Sequence, residues 1–169
     1  MSVLPLPEYK FRELRDISAD FLARRGIELL MLDLDNTIAP YGRREPESGV
    51  LRWAEEIRAS GVLLYIVSNS RGEERVRSFA AALGIPYTLR AKKPSPRKPR
   101  EIMRATGVGA DRAALVGDQI YTDVLAARLA GITPILVRPI ELKNPLLAIR
   151  YALEAPFRIW GSTYEQQDK

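Results

Sequence analysis

Two aspartates, Asp33 and Asp35, stand two residues apart at the end of a dense apolar run, an arrangement of side chains well placed to do chemistry. If that run is a strand, its period of two turns both carboxylates toward one crevice, where one can attack an electrophile while the other handles protons. A bare Asp-x-Asp also serves as a helix cap, a turn or a nucleotide-sugar metal site. Directly after a buried strand it is costly as mere packing, because buried charges need a partner or a metal. An EF-hand is excluded, since Thr37 and Ile38 stand where its third ligand and glycine belong. The chain has no Cys and no His, which removes thiol nucleophiles, disulfides, Ser-His-Asp triads and HExxH or cysteine zinc sites. Catalysis is left to carboxylates, Lys, Arg, Ser, Thr and Tyr, with a hard, oxygen-liking ion such as Mg²⁺ as the natural helper. A net charge of +5, from 26 Lys and Arg against 21 Asp and Glu, suits an anionic partner, although such a surplus also serves solubility alone.

Those carboxylates need a scaffold, and the pattern along the chain supplies one. Residues 27–34 form a short apolar run of strand length, and similar runs recur at 62–67, 85–89, 113–116 and 132–137. Helical spacing fills the intervals. Val50, Ala54 and Ile57 mark a helix over 46–60, Val76, Phe79, Ala80 and Leu83 a second one, and 124–130 another. Ser95 and Pro96 read as the N-cap and first position of a helix that runs to Gly107. Leu14, Ile17 and Phe21 predict an amphipathic helix in the first ~25 residues, stopped by Gly26, and Asn144 with Pro145 opens a last helix reaching about Glu154. Alternating strands and helices imply an α/β fold: a parallel sheet with helices on both faces, forming one domain over 1–169. In such sheets ligands bind beyond the carboxyl ends of the strands. Four loops there carry polar groups: Asp33 with Asp35, Ser68 with Asn69, Lys92 with Lys93, and Asp118 with Asp123. No P-loop or GxGxxG is present, and no run reaches the ~18–20 apolar residues of a membrane span or the pattern of a secretory signal, so the expectation is a cytoplasmic protein.

In that order and at those strand ends, the four loops resemble the signature motifs of the haloacid dehalogenase (HAD) superfamily. Asp33-Leu34-Asp35-Asn36-Thr37 matches the first, Ser68 the second, Lys93-Pro94 the third, and Gly117-Asp118 with Asp123 the acidic fourth. The resemblance covers about 27–137 and is closest to the YqeG-like group of subfamily IIIA, related to phosphatidylglycerophosphate phosphatases. It implies a HAD-like Rossmannoid sheet and a phosphatase. Asp33 would become an aspartyl-phosphate, and Asp35 would protonate the leaving alcohol and then deprotonate water, a role helped by burial or neighbouring carboxylates. Mg²⁺ would be held by Asp33, the Asp35 carbonyl and Asp118, with Thr37 and Asp123 in support. Ser68, the Asn69 N–H and Lys93 would hold phosphate oxygens. Plainer readings stand beside these: Ser68 and Asn69 as caps of the following helix, Asp123 as a first-turn helix carboxylate, and Lys92 in place of Lys93 within a solvated basic loop.

Insert lengths bear on the substrate. About thirty residues separate Thr37 from Ser68, and one helix fills them, so no cap domain fits and only a short flap over 38–49 can cover the crevice. An open crevice suits a large or interfacial phosphoester, and the resemblance points to phosphatidylglycerophosphate or a similar anionic phospholipid. A soluble phosphatase for sugar phosphates, nucleotides or a phosphoprotein is the alternative. A non-catalytic anion- or nucleic-acid-binding protein is the third reading, disfavoured because no aromatic-rich basic stripe is present. The chain ends mix apolar and basic residues: Leu4, Leu6, Tyr9, Lys10, Phe11 and Arg12 at one end, Lys143, Leu146, Leu147, Ile149, Arg150 and Leu153 toward the other. Peripheral contact with an anionic membrane is expected of Phe157, Trp160 and the flanking arginines Arg150 and Arg158, whereas Leu146, Ile149 and Leu153 are as well suited to packing as core.

Overall fold

The computed structural model describes residues 4–143 and 145–160. Six strands pair in parallel: β1 (Tyr9–Phe11), β2 (Leu29–Leu32), β3 (Leu63–Val67), β4 (Tyr87–Thr88), β5 (Ala113–Gly117) and β6 (Thr133–Val137), in the order β1-β6-β5-β2-β3-β4. The helices are α1 (Ala19–Arg24), α2 (Ser48–Ala59), α3 (Glu73–Leu83), α4 (Arg97–Thr106), α5 (Leu125–Ala130), α6 (Pro145–Leu153) and α7 (Ala155–Trp160).

β2 is apolar throughout because it is covered on both faces. Leu30 and Leu32 point into a core shared with Trp53 and Ile57 of α2 and Phe79 of α3, while Leu29 and Met31 point into a second core with Ile102 of α4 and Ala126 and Ala127 of α5. β5 divides in the same way, Ala114 and Val116 to the first face and Ala113 and Leu115 to the second. The chain therefore runs outward from β2 under α2 and α3, crosses back beneath α4 to β5, and continues outward the other way. Strand order reverses between β2 and β5, and a crevice opens at their carboxyl ends. Between β2 and β3 the chain holds only a turn segment and α2, and between β3 and β4 only α3, so there is no separate cap.

The start of the chain differs from the expected amphipathic helix. Leu14, Ile17 and Phe21 are buried as their spacing requires, but the segment divides into β1, a 3-10 turn at Leu14–Asp16 and α1. The sheet edge decides this: β1 pairs with β6, burying Phe11 edge-on against Phe21 with ring centroids 4.9 Å apart. The Ile17 carbonyl is taken by the Trp53 indole N–H at 2.7 Å, and Ser18 caps α1 afresh by accepting from Phe21 N at 3.1 Å. Ser95 is likewise displaced from its expected place. Pro96 occupies the cap position of α4, and the Ser95 hydroxyl lies a long 3.4 Å from Arg97 N.

Asn144, expected to open the last helix, lies outside the described residues. Beyond it α6 and α7 depart from expectation in both directions. Leu146, Ile149 and Leu153 are exposed rather than core, being 74%, 58% and 66% accessible. Phe157, expected at a membrane, instead packs on Ile120, Val124 and Leu136 and meets the Tyr121 ring edge-on at 5.6 Å. Arg158 also turns inward, pairing with the buried Glu154 at 2.6 Å, and its carbonyl accepts from buried Lys10 at 3.0 Å. A buried carboxylate requires a cation, and that requirement outweighs the attraction of solvent for Arg158.

Candidate active site

The β2–β5 ladder continues one bond past β2, Asp33 N donating to Val116 O at 2.9 Å, which sets Asp33 at the point where strand order reverses. A tight turn follows. Leu34 O accepts from Ile38 N at 3.0 Å, Asn36 N donates to Ala39 O at 2.8 Å, and Asn36 takes a left-handed φ of 62°, which Asn tolerates better than most residues. The turn brings Asp35 back beside Asp33, and both line one crevice with Tyr41, Asn69, Lys93, Gln119, Thr122 and Asp123.

Lys93 occupies the centre of the site. Its buried ammonium lies 2.6 Å from Asp33 Oδ1 and 2.7 Å from Asp123 Oδ1. The Asn69 side chain holds the Lys93 backbone on both sides, Oδ1 accepting from Lys93 N at 2.8 Å and Nδ2 donating to Lys93 O at 3.2 Å. Lys93, not the exposed Lys92, is thus the lysine that enters the site. Asp123 Oδ2 accepts from Gln119 N at 3.1 Å in a wide π-helical turn, Ile120–Val124, ahead of α5. Gly117 is glycine for a steric reason, since a Cβ there would stand 2.2 Å from Asp123 Cγ.

Asp118 projects from the end of β5, with its backbone carbonyl accepting from the Arg158 guanidinium. Its Oδ1 is buried and has no hydrogen-bond partner, and Asp33, Asp118 and Asp123 each offer an oxygen within 4.8 Å of the others. An orphaned buried carboxylate oxygen in such a cluster is the donor set a hard divalent cation takes, so these residues fit Mg²⁺. Burial, and then the neighbouring Asp123 and Asp33 charges, push the Asp118 carboxyl well above the ordinary range. Burial likewise raises Asp33, against the pull of Lys93, from 3.8 to about 7. Burial depresses Lys93, but Asp123 and Asp33 outweigh it and hold the ammonium above its ordinary value.

Other predicted residues are placed differently. Ser68 is fully buried with its Oγ accepting from Ser70 N at 3.0 Å, and α3 begins only at Glu73, so neither Ser68 nor Asn69 caps that helix. Thr37 is buried but borders a separate hollow with Arg15, Glu47 and Arg138 rather than the carboxylate crevice. Asp35 is only partly buried and pairs with Arg75 at 2.6 Å. Arg75 went unrecognised in the sequence because it reads as one more charge on the polar side of α3. In the fold its Nε donates to Arg43 O at 2.7 Å and its Nη2 to Pro40 O at 3.1 Å, tying the 38–49 flap to Asp35. Tyr41 on that flap borders the crevice, and its hydroxyl is pushed up to about 12 by burial and then by Asp118, Asp35 and Asp33.

The HAD-hydrolase-like family model matches residues 90–139, which carry Lys93, Asp118 and Asp123. The probable phosphatase YqeG of Bacillus subtilis is 32% identical over 135 residues, 80% of this chain and 78% of that protein. The chain is a HAD-superfamily phosphatase. This HAD phosphatase is also 25% identical over 156 residues to the phosphatidylglycerophosphate phosphatase 1, chloroplastic/mitochondrial, of Arabidopsis thaliana, covering 86% of this chain but 44% of that one. Its fold is similar to that of a putative 3-deoxy-D-manno-octulosonate 8-phosphate phosphatase from Vibrio cholerae, with a TM-score of 0.55 at 16% identity over 75% of this chain and 72% of the other.

Proposed function

We infer that this HAD phosphatase hydrolyses a phosphomonoester through an aspartyl-phosphate on Asp33, with Mg²⁺ as cofactor, and that its substrate is phosphatidylglycerophosphate or another large anionic phosphoester. The observation that carries the reaction is the buried Lys93 ammonium between Asp33 and Asp123, next to the unpartnered Asp118 oxygen. Lys93 orients Asp33 and offsets part of the burial that raises its carboxyl, and Asp33 reacts in its ionised form. An Asp33 oxygen attacks phosphorus, the bond from phosphorus to the ester oxygen breaks, and the leaving alkoxide takes a proton from Asp35. A water then gives its proton to Asp35 and attacks phosphorus, the Asp33–phosphorus bond breaks, and inorganic phosphate leaves. Arg75, at 2.6 Å, fixes Asp35 at the crevice for the second, base step, and the acid step requires Asp35 to carry a proton away from that pairing. Asn69 and Lys93, which line the crevice, provide the phosphate-facing rim, and the buried Ser68 hydroxyl would join it by turning away from Ser70 N. Held by Asp33, Asp118 and the Asp35 carbonyl, Mg²⁺ would supply neutralising charge for the phosphoryl oxygens.

The uncapped crevice and the likeness to a phosphatidylglycerophosphate phosphatase support the lipid substrate. Exposed Leu146, Ile149, Leu153, Ile159 and Trp160 on α6 and α7 support peripheral contact with an anionic lipid surface, and no helix among the described residues is long and apolar enough to cross a membrane. The test of the chemistry is rapid-quench labelling from a ³²P-phosphomonoester with Mg²⁺. Base-labile label on the wild type and none on Asp33→Asn is expected, and wild-type turnover by folded Asp33→Asn refutes the assignment. For the substrate, cosedimentation with phosphatidylglycerol vesicles at low salt and faster hydrolysis of lipid phosphate than of soluble phosphomonoesters are expected. Faster turnover of a sugar phosphate or nucleotide, without vesicle binding, transfers the assignment to the soluble class.

A further inference from the structure

The basic segment 90–100 looks uniform in sequence, but the fold gives its cations separate fates. Lys93 is consumed by the active site. Arg97 and Lys98 share the Glu101 carboxylate, at 2.9 and 2.6 Å, and Arg100 donates to Leu129 O at 2.7 Å on α5. Arg90 and Lys92 make no such contact among the described residues. With Arg71 and Asn69 they line a hollow of about 480 Å³ that contains no carboxylate.

The backbone gathers these three cations by design of its hydrogen bonds. Arg90 N donates to Ser70 O at 3.3 Å and Ala91 N to Ser68 O at 3.0 Å, which ties the loop after β4 to the loop after β3. Ala91 and Lys93 are buried, whereas Arg90 and Lys92 are exposed and line the hollow together with the exposed Arg71. Arg90 and Lys92 both hold left-handed φ angles, 47° and 56°, which non-glycine residues adopt at an energetic cost and which gather where function requires them. Three like charges brought together without a counter-charge are mutually repulsive, and an anionic ligand relieves that repulsion. Asn69 connects the hollow to the chemistry: it lines both the hollow and the carboxylate crevice, and its side chain clasps the Lys93 peptide.

We propose that Arg71, Arg90 and Lys92 form a subsite for a second anionic group of the substrate, a phosphodiester or similar charge carried a short distance from the scissile phosphomonoester. The subsite rests on the phosphatase reading above and narrows it to substrates with two separated anionic groups. A phospholipid headgroup and a free, soluble bis-phosphorylated compound share this chemistry.

The test compares three substrates with Mg²⁺: para-nitrophenyl phosphate, which has one anionic group, water-soluble glycerophosphorylglycerol phosphate, which has two, and short-chain phosphatidylglycerophosphate below its micellar concentration. The triple variant Arg71→Gln, Arg90→Gln, Lys92→Gln is measured beside the wild type. The selectivity ratio in kcat/KM, two-anion substrate over para-nitrophenyl phosphate, is expected to fall about tenfold in the variant, carried by KM, a change equivalent to about 1.4 kcal/mol. The rise of KM with salt for the two-anion substrate should flatten as well. An equal fall for the soluble headgroup and the short-chain lipid assigns the subsite to the headgroup charge, and a fall confined to the lipid overturns it in favour of acyl-chain contacts. A ratio and salt dependence unchanged by the triple substitution, in an enzyme active on all three substrates, overturns the subsite alone. A wild type inactive on every substrate overturns the phosphatase reading and the subsite with it.

Discussion

Replacing Asp33 by Asn should make the metal-free protein more stable at neutral and alkaline pH, even as it removes the proposed nucleophile. In the fold Asp33 is raised by burial, against Lys93, from 3.8 to about 7. A carboxyl raised in this way stabilises the fold fully below pH 3.8. Between that pH and about 7 the unfolded chain has released its proton while the folded chain keeps it, so stability falls as pH rises. The full difference corresponds to about 4 kcal/mol. Lys93 contributes nothing to this window, because it is held above its ordinary value and stays charged throughout. Asp118 is displaced in the same direction and adds to the slope. Asn is close in shape to the protonated acid and leaves Lys93 its ion pair with Asp123 at 2.7 Å. The assay is urea unfolding in EDTA from pH 4 to pH 8. Wild type should lose stability across that range, Asp33→Asn should lose less, and the two should converge near pH 4, with a gain for the variant of about 2–4 kcal/mol at pH 8. Added Mg²⁺ should stabilise the wild type at pH 8 and the variant much less, since a ligand of the folded state alone shifts the equilibrium toward it. Parallel, flat profiles for both proteins in EDTA would show that the Asp33 carboxyl is not held at a cost, and the reasoning would fail.

Further outcomes follow from the same geometry. Lys93→Met should lower kcat by about 10²–10³-fold in a protein whose circular dichroism is unchanged, because the charge beside Asp33, the proposed nucleophile, is lost; a loss below tenfold would contradict the catalytic role proposed for Lys93. Arg75→Ala should free the flap and Asp35, lowering kcat/KM about tenfold, and should cost about 1–3 kcal/mol of stability because a largely buried, charge-assisted pair is lost; steady-state kinetics beside thermal melts separate the two effects. Arg158→Met should leave Glu154 buried without its cation and cost about 3–5 kcal/mol, read as a fall in Tm of roughly 10 °C, with part recovered in Arg158→Met, Glu154→Gln. An unchanged Tm in the single variant would mean that Glu154 has another route to neutrality.

The sequence by itself determined the interior of the sheet and the end of it at which the aspartates and Lys93 gather. The apolar runs become β2 to β6 because an interior parallel strand must be hydrophobic on both faces, and period-two alternation sends Leu30 and Leu29 into different cores. Once β2 and β5 exist side by side, backbone geometry carries Asp33 and Asp118 to one end of the sheet. Local pattern was not enough at the chain ends. Leu14, Ile17 and Phe21 have helical spacing, yet a free edge beside β6 claimed the preceding residues as β1, since strand pairing is a non-local bond that no window of sequence contains. The Lys93-Pro94 motif favoured Lys93 over Lys92, and the hydrogen bonds of Asn69 on the Lys93 peptide are the tertiary contacts that turn it into the site. Tertiary contact alone decided that Arg75 reaches Asp35 across 40 residues and that Arg158 turns inward to Glu154 and Asp118. Long cationic side chains look alike in sequence, and their roles are set by whichever carboxylate or carbonyl the fold leaves unsatisfied within reach.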